Sequence, residues 1–260
     1  MEERVTRAQS DFTAYFESFK GLTAQQKDNF TIKYDHSVRV AELCLSLAQK
    51  IAWTEEQQSL AYCTGLFHDI GRFSQLVEFD TFNDSKSVDH AEYSVKVLQE
   101  KAYLAAFSEE QQTAIQEAIQ YHNKRELPRD LSESGAELAK LLRDADKLDI
   151  LKVLTDYYTK PRSVPNHTLT WELPAGTAVT KTVAKQALAG ELVDKELVAN
   201  QMDIKIMQLS WVFDLNFKPS FKLLMEKRFT EKIYGTLPKS DTVIQIYRTV
   251  KVFSENKVLS

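Results

Sequence analysis

Glycine is scarce in this chain, with seven in 260 residues, and so is cysteine, with two. Two cysteines cannot build the disulfide framework of a small secreted scaffold, and Cys44 and Cys63 both sit in apolar helical stretches, as buried thiols of a reducing compartment would. Basic charge is not in excess. Lys plus Arg number 33 against 37 Asp plus Glu, a net charge of −4, which excludes a general nucleic-acid-binding surface. No segment approaches the roughly 20 consecutive apolar residues that span a bilayer, and Met1-Glu2-Glu3-Arg4 has no apolar signal core. The expectation is a soluble cytoplasmic protein without a membrane partner. Internal repeats and low-complexity segments are missing too.

What is present is helix. Hydrophobic residues make up 43% of the chain, enough for one substantial core or one core with an appended subdomain. Thr54-Glu55-Glu56-Gln57 and Ser108-Glu109-Glu110-Gln111 fit the capping box, in which the first side chain accepts from the fourth backbone N–H and the fourth side chain reaches back. Periodicity predicts helices over 3–19, 24–33, 36–52, 55–69, 88–102, 109–122, 134–158, 194–214, 218–233 and 240–254. Between Lys160 and Thr182 the text changes to Pro161, Pro165, Pro174 and Gly176, with Leu169-Thr170-Trp171-Glu172-Leu173 alternating as a short β-hairpin would. The predicted class is all-α, with a helical domain over 1–158 and a mostly helical C-terminal region over 159–260. Trp211, Val212, Phe213 and Phe217 read as packing residues of that second region.

Chemistry concentrates in the first region. His68-Asp69 closes the apolar run Leu60-Ala61-Tyr62-Cys63-Thr64-Gly65-Leu66-Phe67. Burying an ionised carboxylate beside an imidazole costs several kcal/mol unless compensated, and a divalent cation compensates. The plain alternative is that His68 caps the helix C-terminus and Asp69 starts the turn. His122 lies on the stripe of Ile115, Ala118 and Ile119; His36 shares a face with Val40 and Leu43, and His90 with Tyr93 and Val97, so all three point inward. Asp146 has Ala139, Leu142, Ile150 and Val153 at helical spacing, which places its carboxylate in an apolar stripe and demands a partner. Asp144 falls on the other side of that helix with Glu137, Lys140 and Lys147 and is expected to be solvated, while Asp149 suits a group that orients a metal-bound histidine.

The order His36, His68-Asp69, Asp146 resembles the HD superfamily of metal-dependent phosphohydrolases. Local contexts agree: Asp35-His36-Ser37-Val38-Arg39-Val40-Ala41, Gly65-Leu66-Phe67-His68-Asp69-Ile70-Gly71 and Asp144-Ala145-Asp146-Lys147-Leu148-Asp149. The resemblance spans roughly residues 30–155 and implies an HD-type helical bundle with a C-terminal helical extension. His90 and His122 correspond to the extra histidines of two-metal members, including the HD-GYP cyclic-dinucleotide phosphodiesterases. In those a further histidine and a Gly-Tyr-Pro segment follow; here the text is Asn123-Lys124-Arg125-Glu126-Leu127-Pro128, which argues against a cyclic-dinucleotide substrate.

The resemblance implies one divalent ion held by His36, His68, Asp69 and Asp146, with Asp69 bridging to a second held by His90 and His122. Imidazole and carboxylate suit Mn, Fe, Ni, Co or Zn, with Mg also compatible. The function so implied is hydrolysis of a small-molecule phosphate mono- or diester, a nucleotide being the natural class, by metal-activated water. Asp69, Lys147 and Arg39 are the expected catalytic residues; Arg72, Lys124 and Arg125 are expected to meet the substrate's phosphate. Arg39 pairs equally well with Asp35 one turn earlier. Two other readings stay open, an HD-type di-iron oxygenase and a non-catalytic binding module.

Overall fold

The structure is a computed structural model and describes residues 2–159, 171 and 173–259. It is all-α: no strand occurs among the described residues. The expected hairpin lies largely outside them, and the described part of that stretch, from 173 on, runs without a strand into a helix at Lys181. No helix among the described residues is long and apolar enough to cross a membrane. The chain divides into two compact units, Met1–Asp146 and Lys147–Ser260.

The first unit contains α1 (Glu2–Ser18), α2 (Ala24–Lys50), α3 (Glu55–Phe67), α4 (Gly71–Phe79), α5 (His90–Glu100), α6 (Glu109–Tyr121) and the first half of α7 (Glu133–Thr159). Capping boxes start α2 at Thr23, α3 at Thr54 and α6 at Ser108, each with a Gln side chain returning to the cap backbone. Sequence periodicity broke α2 near residue 34, yet Lys33-Tyr34-Asp35 contains neither glycine nor proline, and the helix continues. It also carried α3 through Asp69 and missed α4. In fact α3 ends at Phe67, with His68 at the C-cap in right-handed conformation, and α4 begins at Gly71. The reading of His68 as a helix cap is correct as far as the backbone goes.

Two glycines set the position of that corner. A Cβ on Gly65 would stand 2.8 Å from Ala41 Cα and 3.0 Å from Cys44 Sγ, so the absence of a side chain lets α3 close on α2. A Cβ on Gly71 would stand 2.5 Å from Ser94 N and 2.8 Å from Tyr93 C, so α4 begins almost in van der Waals contact with the backbone of α5. Gly71 N–H donates to Ser94 Oγ at 3.0 Å, and Ser94 Oγ donates to the His90 carbonyl at 2.9 Å. An aromatic core of Phe12, Phe30, Phe67 and Phe73, each about 1% exposed or less, backs the corner, with Phe30 and Phe73 centroids 5.0 Å apart. Burial pushes the Cys44 thiol up and the Cys63 thiol up to about 12, so neither is a thiolate at neutral pH.

The second unit holds the rest of α7 and α8 (Lys181–Leu188), α9 (Gln201–Ser210), α10 (Lys218–Glu226), α11 (Phe229–Gly235) and α12 (Asp241–Leu259). Its core includes Ile206, Phe221, Leu224, Ile233 and Ile246. The single helix expected over 218–233 is two, because Arg228 takes a left-handed φ of 55° between them. The one expected over 194–214 is α9 flanked by two short 3-10 turns, Lys195–Leu197 and Trp211–Asp214. Buried Val212, and Phe213 stacked edge-on against Phe253 at 5.1 Å, bear out the packing reading of that stretch. Asp203 is fully buried and accepts from Thr180 N at 2.8 Å, Ala199 N at 3.1 Å and Asn200 Nδ2 at 3.0 Å, tying the α8 start to α9.

Candidate metal centre

Four helix ends and two helix interiors deliver six side chains to one place in the first unit. His36 comes from the middle of α2, His68 and Asp69 from the α3–α4 corner, His90 from the first residue of α5, His122 from the C-cap of α6, and Asp146 from α7. The four histidines and Asp69 are each 7% exposed or less. Asp146 Oδ1 lies 3.1 Å from His36 Nε2 and 3.8 Å from His68 Nε2. The two oxygens of Asp69 face different partners: Oδ2 is 3.9 Å from His36 Nε2 and 3.7 Å from His68 Nε2, whereas Oδ1 is 3.5 Å from His90 Nε2. His36, His68 and Asp146 form one group with ligand atoms within 4.8 Å of one another, and His68, Asp69 and His122 form a second.

The tautomers follow from the acceptors behind the rings. His68 Nδ1 meets the Gly65 carbonyl at 2.7 Å and His122 Nδ1 meets the Ile119 carbonyl at 2.6 Å; carbonyls only accept, so both Nδ1 atoms carry the proton. His90 Nδ1 donates to Asp84 Oδ2 at 2.5 Å. Each ring therefore turns its Nε2 inward. His68 Nε2 is buried with no hydrogen-bond partner. His90 Nε2 and His122 Nε2 stand 3.2 Å apart. A shared proton or a metal ion between the two atoms accounts for that distance. Nitrogen and carboxylate donors at this spacing fit a divalent transition ion.

Electrostatics keep the donors in ligating form. Burial alone would raise the Asp69 carboxyl, but the Lys33 ammonium, with the Arg72 guanidinium, outweighs it and holds it well below the usual carboxylate range. Burial likewise opposes the ionised form of Asp146, and the hydrogen bond with His36 is the largest influence lowering it. His68 is lowered chiefly by burial, and His122 is lowered to about 3 by burial, His90 and His68.

Sequence reasoning missed three supports. Lys33, one turn before His36, places its ammonium 2.6 Å from Asp69 Oδ2. Asp84, in the α4–α5 loop, orients His90 and accepts from Arg72 Nη1 at 2.8 Å and Gln75 Nε2 at 3.0 Å; a loop carboxylate carries no periodic signal. Arg143, 3% exposed, donates to the carbonyls of Tyr121, His122, Lys124 and Arg125 and so pins the turn that ends α6.

The other expected residues fall as follows. Arg72 Nε reaches Asp69 Oδ1 at 3.4 Å while its Nη1 holds Gln75, Asp84 and the Phe82 carbonyl. Lys124 is held by Asp89 at 2.6 Å and Glu92 at 3.2 Å, and Arg125 is exposed. Arg39 is half-buried on α2. Lys147 pairs with Asp214 at 2.6 Å, both in the second unit. Asp144, expected in solvent, is fully buried, and Asp149 is 1% exposed. The reason is that α7 is enclosed on more than one side near its middle, so a single apolar stripe does not describe it. The apolar stripe assigned to Asp146 holds only on its N-terminal side: Ala139 and Leu142 are buried, but Val153 is 42% exposed.

The HD domain family model matches residues 34–151. Over 46 residues, the chain is 48% identical to the 3'3'-cGAMP-specific phosphodiesterase 1 of Vibrio cholerae serotype O1 (strain ATCC 39315 / El Tor Inaba N16961). That stretch is 18% of this chain and 10% of the length of the relative. No solved structure matches the chain.

Proposed function

Because residues 34–151 form an HD domain, we propose that the chain is a metal-dependent phosphohydrolase acting on a small phosphate mono- or diester, with a nucleotide as the substrate class. His36, His68, Asp69 and Asp146 would hold one divalent ion, and His90, His122 and the other oxygen of Asp69 a second. The observation that carries the reading is His68 Nε2, buried without a hydrogen-bond partner 3.7 Å from Asp69 Oδ2 and 3.8 Å from Asp146 Oδ1, beside the inward-turned His90 and His122. A bound divalent ion such as Mn, Fe, Co, Ni or Zn neutralises phosphoryl charge and brings the pKa of water from 15.7 to about 7.

The chain's own residues do the rest. Hydrogen bonds behind His68, His90 and His122 hold the rings with Nε2 turned inward, the orientation in which they would ligate. Arg72 steadies Asp69 and the Asp84 loop together. Lys124 and Arg125, beside His122, are the cations we assign to the incoming phosphate; Lys147, bound to Asp214, we assign to orienting α7 beside Asp146. The relative's phosphodiesterase activity supports phosphate-ester chemistry. The segment after His122 lacks Gly-Tyr-Pro, which points away from a cyclic dinucleotide. Two free buried cysteines suit a reducing, cytoplasmic setting.

The test is a panel of nucleotide mono-, di- and cyclic phosphates and aryl phosphates, with Mn, Co, Ni, Fe and Mg supplied in turn. Hydrolysis that needs the metal and vanishes in Asp69→Ala is expected. A metal-replete protein that is inert on the whole panel but consumes oxygen with an organic substrate would instead be an oxygenase.

A further inference from the structure

Two cations approach Asp69, and they are bound in different ways. Arg72 is 13% exposed and its Nη1 is saturated by Gln75 Oε1 at 2.9 Å, the Phe82 carbonyl at 2.7 Å and Asp84 Oδ1 at 2.8 Å, so it is a fixed strut. Lys33 has a side chain 21% exposed, and its one carboxylate partner among the described residues is Asp69, at 2.6 Å from Oδ2. The ring of Phe82 lies 5.6 Å from its ammonium and lines the stem. Asp69 Oδ2 is also the oxygen turned towards His36 and His68. Lys33 therefore stands where a cation shared with those two histidines would pull on the same oxygen.

We propose that Lys33 has two states at this centre: counter-ion of Asp69 in the metal-free protein, and anchor for a phosphoryl oxygen of the substrate once a metal holds Asp69 Oδ2. The inference rests on the metal-centre reading above and adds a substrate contact to it. Like charges at one carboxylate oxygen repel. A lysine on a flexible four-carbon stem yields where the saturated Arg72 does not. The displaced ammonium, whose side chain is 21% exposed against 4% for Asp69, stays within reach of the site, and an anionic phosphoryl group arriving there supplies the partner that the metal has taken. An ammonium is a point-charge ligand for phosphate, so this contact demands no particular leaving group.

The two states give opposite signs in binding experiments on the full chain. Metal-depleted wild type, Lys33→Met, Lys33→Gln and Lys33→Arg are titrated with Mn by calorimetry, and the Mn-loaded proteins are then titrated with inorganic phosphate. Lys33→Met and Lys33→Gln should bind Mn several-fold tighter, because the competing cation is gone. Both should bind phosphate about tenfold more weakly, having lost one charge-assisted contact, and Lys33→Arg should restore phosphate binding. A neutral variant that binds Mn normally and phosphate as wild type does would overturn the proposal while leaving the metal centre standing. Variants that weaken Mn and leave phosphate unchanged would make Lys33 a structural residue and also overturn it. If Lys33→Met does not fold, Lys33→Gln, which keeps a donor for Asp69, carries the comparison. Wild type that binds no Mn at all would remove the metal-centre reading and this inference with it.

Discussion

His90 and His122 meet through their Nε2 atoms at 3.2 Å, with His90 Nδ1 on the Asp84 carboxylate and His122 Nδ1 on the Ile119 carbonyl. Neither ring can turn away without abandoning the hydrogen bond behind it. The two histidines stand at opposite ends of the α5–α6 hairpin, 32 residues apart in sequence, and the hairpin folds them back onto each other.

Asp84 should act on metal affinity through His90. Asp84→Asn removes the charge and the oxygen that orient the imidazole, while the amide oxygen still accepts from Arg72 Nη1. The weaker of two ions should lose about 10–100-fold in affinity, while the tighter one changes little. Mn titration with metal analysis by mass spectrometry checks this. Equal loss of both ions would show that Asp84 supports the whole corner and not His90 alone.

Asp146 and Asp144 should separate activity from stability. Asp146→Ala removes the carboxylate 3.1 Å from His36 Nε2 and should lower turnover beyond the roughly 100-fold that losing a ligand's hydrogen-bond partner costs. Asp144 is fully buried and engaged there, so Asp144→Ala, which leaves its polar partner unsatisfied, should destabilise the fold by about 1–3 kcal/mol. Denaturant melts and turnover of the two variants decide the matter; an Asp144→Ala protein as stable as wild type would count against this assignment.

Gly71→Ala should disturb the centre without touching a ligand. Its methyl group would stand 2.5 Å from Ser94 N and 3.0 Å from the His90 carbonyl, all backbone that cannot swing aside. We expect about 1–3 kcal/mol of destabilisation, together with weaker metal binding as α5 is pushed off α4. Retention of wild-type metal affinity in a destabilised variant would mean that α5 moves as a rigid unit with its partners.

The metal-free protein should lose stability as pH falls from about 6.5. His122 is held at about 3 and His68 below its ordinary value, chiefly by burial, whereas in the unfolded chain both take up protons near pH 6.5. The unfolded state then binds more protons, so stability decreases as pH drops from about 6.5 towards 3. Asp69 and Asp146, lowered carboxylates, keep their contribution across most of that window and do not account for the loss. Thermal melts of chelator-treated protein at pH 7.5 and 5.0 read the effect directly; identical midpoints would contradict it.

Most of the residues that the structure gathers at the candidate site were legible in the sequence, because inward-facing histidines and a carboxylate on helical stripes have a period that the chain itself displays, as at His36 with Val40 or His122 with Ile119. The all-α class was legible for a similar reason: capping boxes at Thr54 and Ser108 are local, and they form as written. The supports were not. Lys33 reads as an ordinary surface lysine until the α3–α4 corner brings Asp69 against it, and Asp84 reads as a loop residue until α5 turns His90 towards it. Asp144 looked solvated because helical phase assigns a residue to one side of one helix, and burial depends on how many neighbours enclose that helix. Periodicity reports which way a side chain leaves its own backbone. What it meets there is decided by contacts between residues far apart in the chain, and those exist only once the helices have packed.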